Sequence, residues 1–186
     1  MTSQGRNGID EVLAESLKEL SKSRPIEKIT IKEITDKAGV IRPTFYNHFQ
    51  DKYELLEWIV REELMMPAMP LFQNGMLREG ITFIFTAMEK EKEFYQKAVR
   101  LEGQNSFTGM MMKTAKEIVL DRMNKEAVRE RAKYQWLTPE LVAEFYGQMA
   151  CVVAVRWINS GMSVPVNELV DVYLSISQES MLNNIK

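Results

Sequence analysis

The chain has 186 residues and a mass of 21.6 kDa, room for one domain of ordinary size or for a small module sharing a core with a larger one, and too little for a large barrel enzyme. Hydrophobic residues at 45% and charged residues at 27% exclude wholesale disorder and a fibrous repeat. With 24 basic against 26 acidic side chains and a net charge of −2, any nucleic-acid role requires a local basic surface rather than a basic whole.

The elements read as almost all helix. Ile9, Val12, Leu13, Leu17 and Leu20 recur at helical spacing and predict a first amphipathic helix, ended by the segment 21–25. In KITIKEITDKAG, Ile29 and Ile31 alternate as in a strand, while Ile31, Ile34 and Ala38 fall at helical spacing. Capping decides for helix over 31–38. Thr30 with Glu33 forms a capping-box pattern, and Gly39 stands where a left-handed C-terminal residue is wanted. Pro43 suits the first turn of another short helix running to about Phe49. Asp51 is a plausible cap for a longer helix from Lys52, which Pro67 and Pro70 are expected to break. Beyond these prolines the pattern predicts helices over 77–101, 106–133, 139–160 and 166–183.

Two short helices joined by a Gly-containing turn, preceded by a packing helix, form a helix-turn-helix whose second helix can lie in the DNA major groove. The segment IRPTFYNHFQDKYEL, with Thr44, Phe45, Tyr46, His48, Phe49 and Lys52, resembles the recognition-helix region of the TetR family of transcriptional regulators; the likeness spans roughly residues 9–60. Ile41 departs from the family pattern, which often has a polar helix-capping residue there. The resemblance implies an all-α fold, with a helix-turn-helix DNA-binding domain over 1–52 and a helical regulatory and dimerisation domain over 53–186. It also implies a cytoplasmic homodimer on a palindromic operator in double-stranded DNA, controlled by an effector. Arg42 and Lys32 are then expected at base edges, and Pro43 at a thymine methyl. Thr30, Thr44, Tyr46, His48 and Lys52 are expected at phosphates or sugars, with Asn47 in either role and Phe45 and Phe49 pointing inward. The charge balance fits: residues 22–42 hold six basic against three acidic side chains, a local net charge of +3, although residues 1–55 as a whole balance at nine of each sign. Without the motif, such a mixed run is an ordinary solvated face.

The last two predicted helices are unusually apolar. Phe145, Met149, Val153 and Trp157 in one, with Leu169, Tyr173 and Ile176 in the other, are expected at a dimer interface; the alternative is that these stripes fill the core of one chain. Phe83, Met88, Tyr95, Phe107, Met110 and Met111 are candidates for a pocket accepting a small apolar effector, or else ordinary core. The stretches EFYQKAVRLEGQNSF and RWINSGM are similar to a subgroup of the family that includes the activator of dihydroxyacetone-kinase genes, which keeps a protein co-regulator open as the effector. Arg100, Glu102, Gln104 and Asn105 read equally as a helix terminus and a capped turn.

Cys151 is the single cysteine, which excludes an intramolecular disulfide framework or a cysteine-paired zinc site and fits a reducing cytoplasm. The opening MTSQGRNG has no apolar signal core, and the longest apolar run is about six residues where a span needs about twenty, so neither export by that route nor a membrane location is expected. No phosphate-binding glycine loop or metal-ligand set is present, so no cofactor, metal or enzymatic activity is expected. A helical protein-interaction module without DNA binding is the alternative function.

Overall fold

The computed structural model describes residues 3–131 and 134–178, and the regular elements among them are all helical. Helix α1 (Ser3–Ser23) turns Leu13, Ala14 and Leu17 inward at the i, i+4 spacing of one helix face. A 3₁₀ turn at Ile26–Lys28 drops Ile26 into the same core. Helix α2 (Ile31–Ala38) has the expected boundaries. The Thr30 hydroxyl accepts the Glu33 N–H while the Glu33 carboxylate accepts the Thr30 N–H at 2.8 Å, and Gly39 adopts φ 69°. That left-handed turn is open to glycine at little cost, and it lets the Gly39 and Val40 N–H groups cap the carbonyls of Asp36 and Thr35.

Helix α3 (Arg42–Tyr46) has Pro43 in its first turn, as expected, but ends three residues before Phe49. Residues 47–49 continue as a tight turn in which His48 and Phe49 both donate to the Phe45 carbonyl at 2.9 Å. Helix α4 (Lys52–Trp58) is capped by Asp51, whose carboxylate accepts the N–H groups of Tyr53 at 2.7 Å and Glu54 at 2.9 Å. Phe45 and Phe49 point inward as expected. Their rings lie 5.8 Å apart, and Phe49 meets Trp58 edge-on at 6.3 Å.

The expected break at Pro67 and Pro70 takes another form. After Trp58 the chain widens into a π-helical stretch at Ile59–Met65, tightens to a 3₁₀ turn at Met66–Ala68, and continues as α5 (Met69–Gln73). Each proline sits in a first turn, where its missing N–H costs nothing, so the winding changes without stopping.

Two long helices expected from the sequence are each divided. The stretch 77–101 is α6 (Leu77–Lys90) and α7 (Lys92–Ala98), parted at Glu91, which leaves the helical region at φ −106° and ψ 36°. The stretch 106–133 is α8 (Phe107–Arg122) and α9 (Lys125–Arg131), parted at Met123. Then follow α10 (Pro139–Asn159), capped by Thr138, and α11 (Val166–Gln178); the expected ends at Lys133 and Asn183 lie outside the described residues. Helices α8 and α10 pack together more extensively than any other pair among the described residues. A Cβ added at Gly147 would sit 3.2 Å from the main-chain nitrogen of Lys116, so the absence of a side chain there lets the two backbones approach.

Two lysines fasten the small unit to the large one. Lys97 of α7 donates to the terminal carbonyls of α1 at Ser21 and Lys22, 2.5 and 2.7 Å away. Lys18 of α1, its side chain 8% exposed, meets Glu63 of the π-helical stretch at 2.9 Å and Glu15 at 3.1 Å. Burial alone would lower its pKa, but the hydrogen bonds and charges of Glu63 and Glu15 outweigh burial and raise it.

Candidate nucleic-acid interface and effector cavity

Capping at both ends of α2 and the inward aromatics of α3 fix the angle at which α3 meets solvent. Its outer surface carries Arg42, Pro43, Tyr46 and Asn47, all exposed, with Tyr46 half-exposed above Phe45 in an edge-on contact of 5.7 Å. Thr44 is partly buried. Lys32 reaches out from α2 but is paired with Asp36 one turn on at 2.6 Å, a solvent-exposed bridge that a stronger partner can displace at small cost. The Thr30 hydroxyl is committed to the capping box. That box also draws Arg24, which meets Glu33 at 2.8 Å. The Thr30 backbone N–H, then its hydroxyl and then Arg24 hold the Glu33 carboxyl down to a pKa of about 2.

The structure gives two expected phosphate contacts another task. Lys52 donates to three main-chain carbonyls, Ile26 at 2.9 Å, Glu27 at 2.7 Å and Ile29 at 2.8 Å, which accounts for all three ammonium donors. It is the knot that ties α4 to the turn before α2. Burial lowers its pKa, against the opposing charges of Glu27, Asp51 and Glu33. His48 has a side chain 4% exposed, with Nδ1 2.6 Å from the Asp10 carboxylate. It joins the end of the recognition unit to α1 and faces inward rather than toward a duplex. Neither partner is visible to local pattern, because Asp10 lies 38 residues away and the carbonyls 23 to 26 residues away.

Within the larger module lies a cavity of about 370 Å³. Its walls come from the π-helical stretch and α5 (Met65, Met69, Phe72), from α6 (Ile81, Phe85, Met88), from α8 (Met111, Ala115, Ile118) and from α10 and α11 (Tyr146, Cys151, Ala154, Tyr173). No lining residue is charged at neutral pH; burial pushes the Cys151 thiol up to about 12 and also raises Tyr173. Of the six residues the sequence offers for an effector pocket, Met88 and Met111 line it, and Tyr173, expected at the dimer interface, lines it as well. Phe83 instead faces the surface, and Tyr95 and Phe107 fill the core against each other with ring centroids 6.0 Å apart. Met110 packs against that core from outside the cavity. The sequence reading missed Met65 and Met69 because the two prolines marked that stretch as a break.

The apolar stripes on α10 and α11 also divide. Trp157, Leu169 and Tyr173 are buried within the chain and belong to its core. The Trp157 ring meets Phe85 edge-on at 5.5 Å, and its Nε1 donates to the Val164 carbonyl at 2.8 Å. Phe145, Val152, Val172 and Ile176 stay more than half exposed, with Met149 and Val153 partly buried beside them. By length and composition α10 is apolar enough to cross a membrane, yet only 33% of its most apolar stretch is buried in the chain. One face packs on α8 and an apolar face remains uncovered.

Residues 15–59 match the model described as bacterial regulatory proteins, tetR family, and residues 76–179 match the model of a transcriptional regulator C-terminal region. The chain is 23% identical over 158 residues to the HTH-type dhaKLM operon transcriptional activator DhaS of Lactococcus lactis, covering 83% of this chain and 81% of that one. It is 25% identical over 185 residues to the HTH-type transcriptional repressor KstR2 of Rhodococcus jostii, covering 92% and 90%. Among solved structures it is similar to Thermus thermophilus FadR in complex with lauroyl-CoA, with a TM-score of 0.60, 18% identity, and 92% and 94% of the two chains covered.

Proposed function

The chain belongs to the TetR family of DNA-binding transcriptional regulators with an effector-binding C-terminal domain, and on that premise we propose that it acts as a cytoplasmic homodimer whose paired α3 helices read an inverted repeat. The observation that carries this reading is the division of labour on α3. Phe45 anchors the helix inside, Phe49 anchors the turn after it, and Arg42, Pro43, Tyr46 and Asn47 stand outside, on a helix that follows the capped α2. Arg42 serves as the base reader, because its planar guanidinium can grip a guanine through two hydrogen bonds. Tyr46, Asn47 and Thr44 serve the backbone, and Lys32 joins them by exchanging Asp36 for a phosphate. The uncovered face around Phe145, Val152 and Ile176 supplies the two-fold contact that sets the spacing of the readers.

The cavity serves as the effector site. Its walls include α10, which carries the dimer face, and Met65 of the stretch that continues α4, so a ligand filling it bears on the interface and on the reading unit together. Glu63 of the same stretch holds Lys18 of α1. Effector binding changes operator affinity through the spacing of the two α3 helices, and reciprocity requires operator binding to change effector affinity by the same factor. By scale with a 150 Å³ cavity that accepts benzene, the space suits an uncharged molecule of about fifteen non-hydrogen atoms. An apolar cavity of this size, lined by no charged residue, favours this class of effector over a protein co-regulator.

The test is duplex binding across salt. Specific binding should fall by about three orders of magnitude or more between 50 and 200 mM salt. Arg42→Ala should lose about 1 to 3 kcal/mol on the cognate duplex and little on random DNA. Equal losses on both would contradict the assignment of Arg42 as a reader.

A further inference from the structure

The recognition unit carries one residue that the DNA-binding reading leaves unused. Ile41 is 69% exposed, more than any other large hydrophobic side chain among the described residues. It occupies the N-cap of α3, with extended φ −85° and ψ 152°, and its side chain makes no capping hydrogen bond. The N-caps of α5, α6 and α7 (Ala68, Met76 and Glu91) likewise make no side-chain capping bond, but four other helices fill that position with groups that do. Thr30, Asp51, Ser106 and Thr138 each accept a main-chain N–H at the start of α2, α4, α8 and α10. At α3 the chain forgoes that stabilisation and exposes a branched aliphatic side chain to water, between Val40 and the exposed pair Arg42 and Pro43. Of the uncapped helix starts, this one places its exposed apolar side chain on the recognition helix, beside Arg42.

The start of a recognition helix is the part that meets base edges, and within the major groove the apolar group a base pair presents is the C5 methyl of thymine. We propose that Ile41 is a specificity-determining residue that packs on a thymine methyl, adjacent to the base pair gripped by Arg42. This rests on the reading of α3 as the DNA-reading helix. Arg42 supplies charge and hydrogen bonds, and Ile41 supplies a shape that accepts thymine and gains nothing from cytosine.

The experiment uses the full chain and an inverted-repeat duplex that it enriches from a random pool. Each thymine is replaced in turn, symmetrically in both half-sites, by deoxyuridine, which removes the methyl alone. For the wild type, one thymine per half-site should matter, with about a fourfold loss for each methyl contact and about sixteenfold for the symmetric pair. Ile41→Ser should bind the thymine and deoxyuridine duplexes alike. Its thermal midpoint should hold or rise, because serine can cap α3, so loss of discrimination cannot be ascribed to a damaged helix. Wild-type binding indifferent to every deoxyuridine would overturn the proposal. Discrimination retained in Ile41→Ser would also overturn it, moving the methyl contact to Pro43. Failure to enrich any sequence would refute the DNA-reading function itself, and this inference with it.

Discussion

Lys52 lies where sequence pattern places a phosphate contact, and the structure gives it three carbonyls instead. Replacing it with methionine keeps the length and apolar stem while removing the ammonium. Three acceptors lose a charged donor. That of Glu27 is exposed and water takes over, whereas those of Ile26 and Ile29 are partly buried. Hydrogen bonds to charged groups contribute about 1.5 to 3 kcal/mol each, so the two partly buried bonds at the low end give a loss of about 3 kcal/mol. For a chain of this size that lowers the thermal midpoint by about 6 to 12 °C. Calorimetry or circular dichroism reads the midpoint, and fluorescence anisotropy on one duplex across salt reads the phosphate contacts. The expected result is a clear drop in midpoint with the salt slope of duplex binding unchanged at 25 °C. A slope reduced by about 0.9 per chain with an unchanged midpoint would show that the ammonium meets DNA, and would refute the carbonyl knot as its main task.

Three further outcomes follow from the other features of the structure. Val152→Glu, at a position 55% exposed, should give a monomer of 21.6 kDa by sedimentation with nearly unchanged helix content and lost operator binding; an intact dimer would clear this face of any role. Ala154→Leu projects into the apolar cavity and should weaken binding of the neutral dye N-phenyl-1-naphthylamine at least tenfold while holding or raising the thermal midpoint; undiminished binding would place the dye elsewhere. The Glu33 carboxyl, with a pKa of about 2 against an ordinary 4.5, adds stability that is complete above pH 4.5 and is lost as pH falls toward 2; denaturant titrations at pH 6 and pH 3 should therefore show a smaller acid loss for Glu33→Gln than for the wild type.

What could be read from the sequence was what local chemistry decides. The Thr30–Glu33 box, Gly39, Pro43 in the first turn of α3 and Asp51 all act within three residues of themselves, so their pattern is their structure. Phe45 and Phe49 could be placed inside because the motif around them is specific. His48 and Lys52 could not be placed, since their partners are distant in the chain. On α10 and α11 apolar residues occur on more than one face, and periodicity does not say which face the same chain covers. Trp157 and Tyr173 therefore went to the core while Phe145 and Ile176 stayed outside. The division at Glu91 lies in a run of charged helix formers with neither glycine nor proline, and carries no local signal at all.

The central claim is that α2, its turn and α3 form a reader that two-fold symmetry duplicates. Selection of bound duplexes from a random pool by the purified chain tests it most directly. The account predicts enrichment of an inverted repeat whose half-sites lie one helical turn, or a multiple of it, apart, bound by two chains or a multiple of two. A pool that stays random, or a single unrepeated half-site bound by one chain, would contradict it.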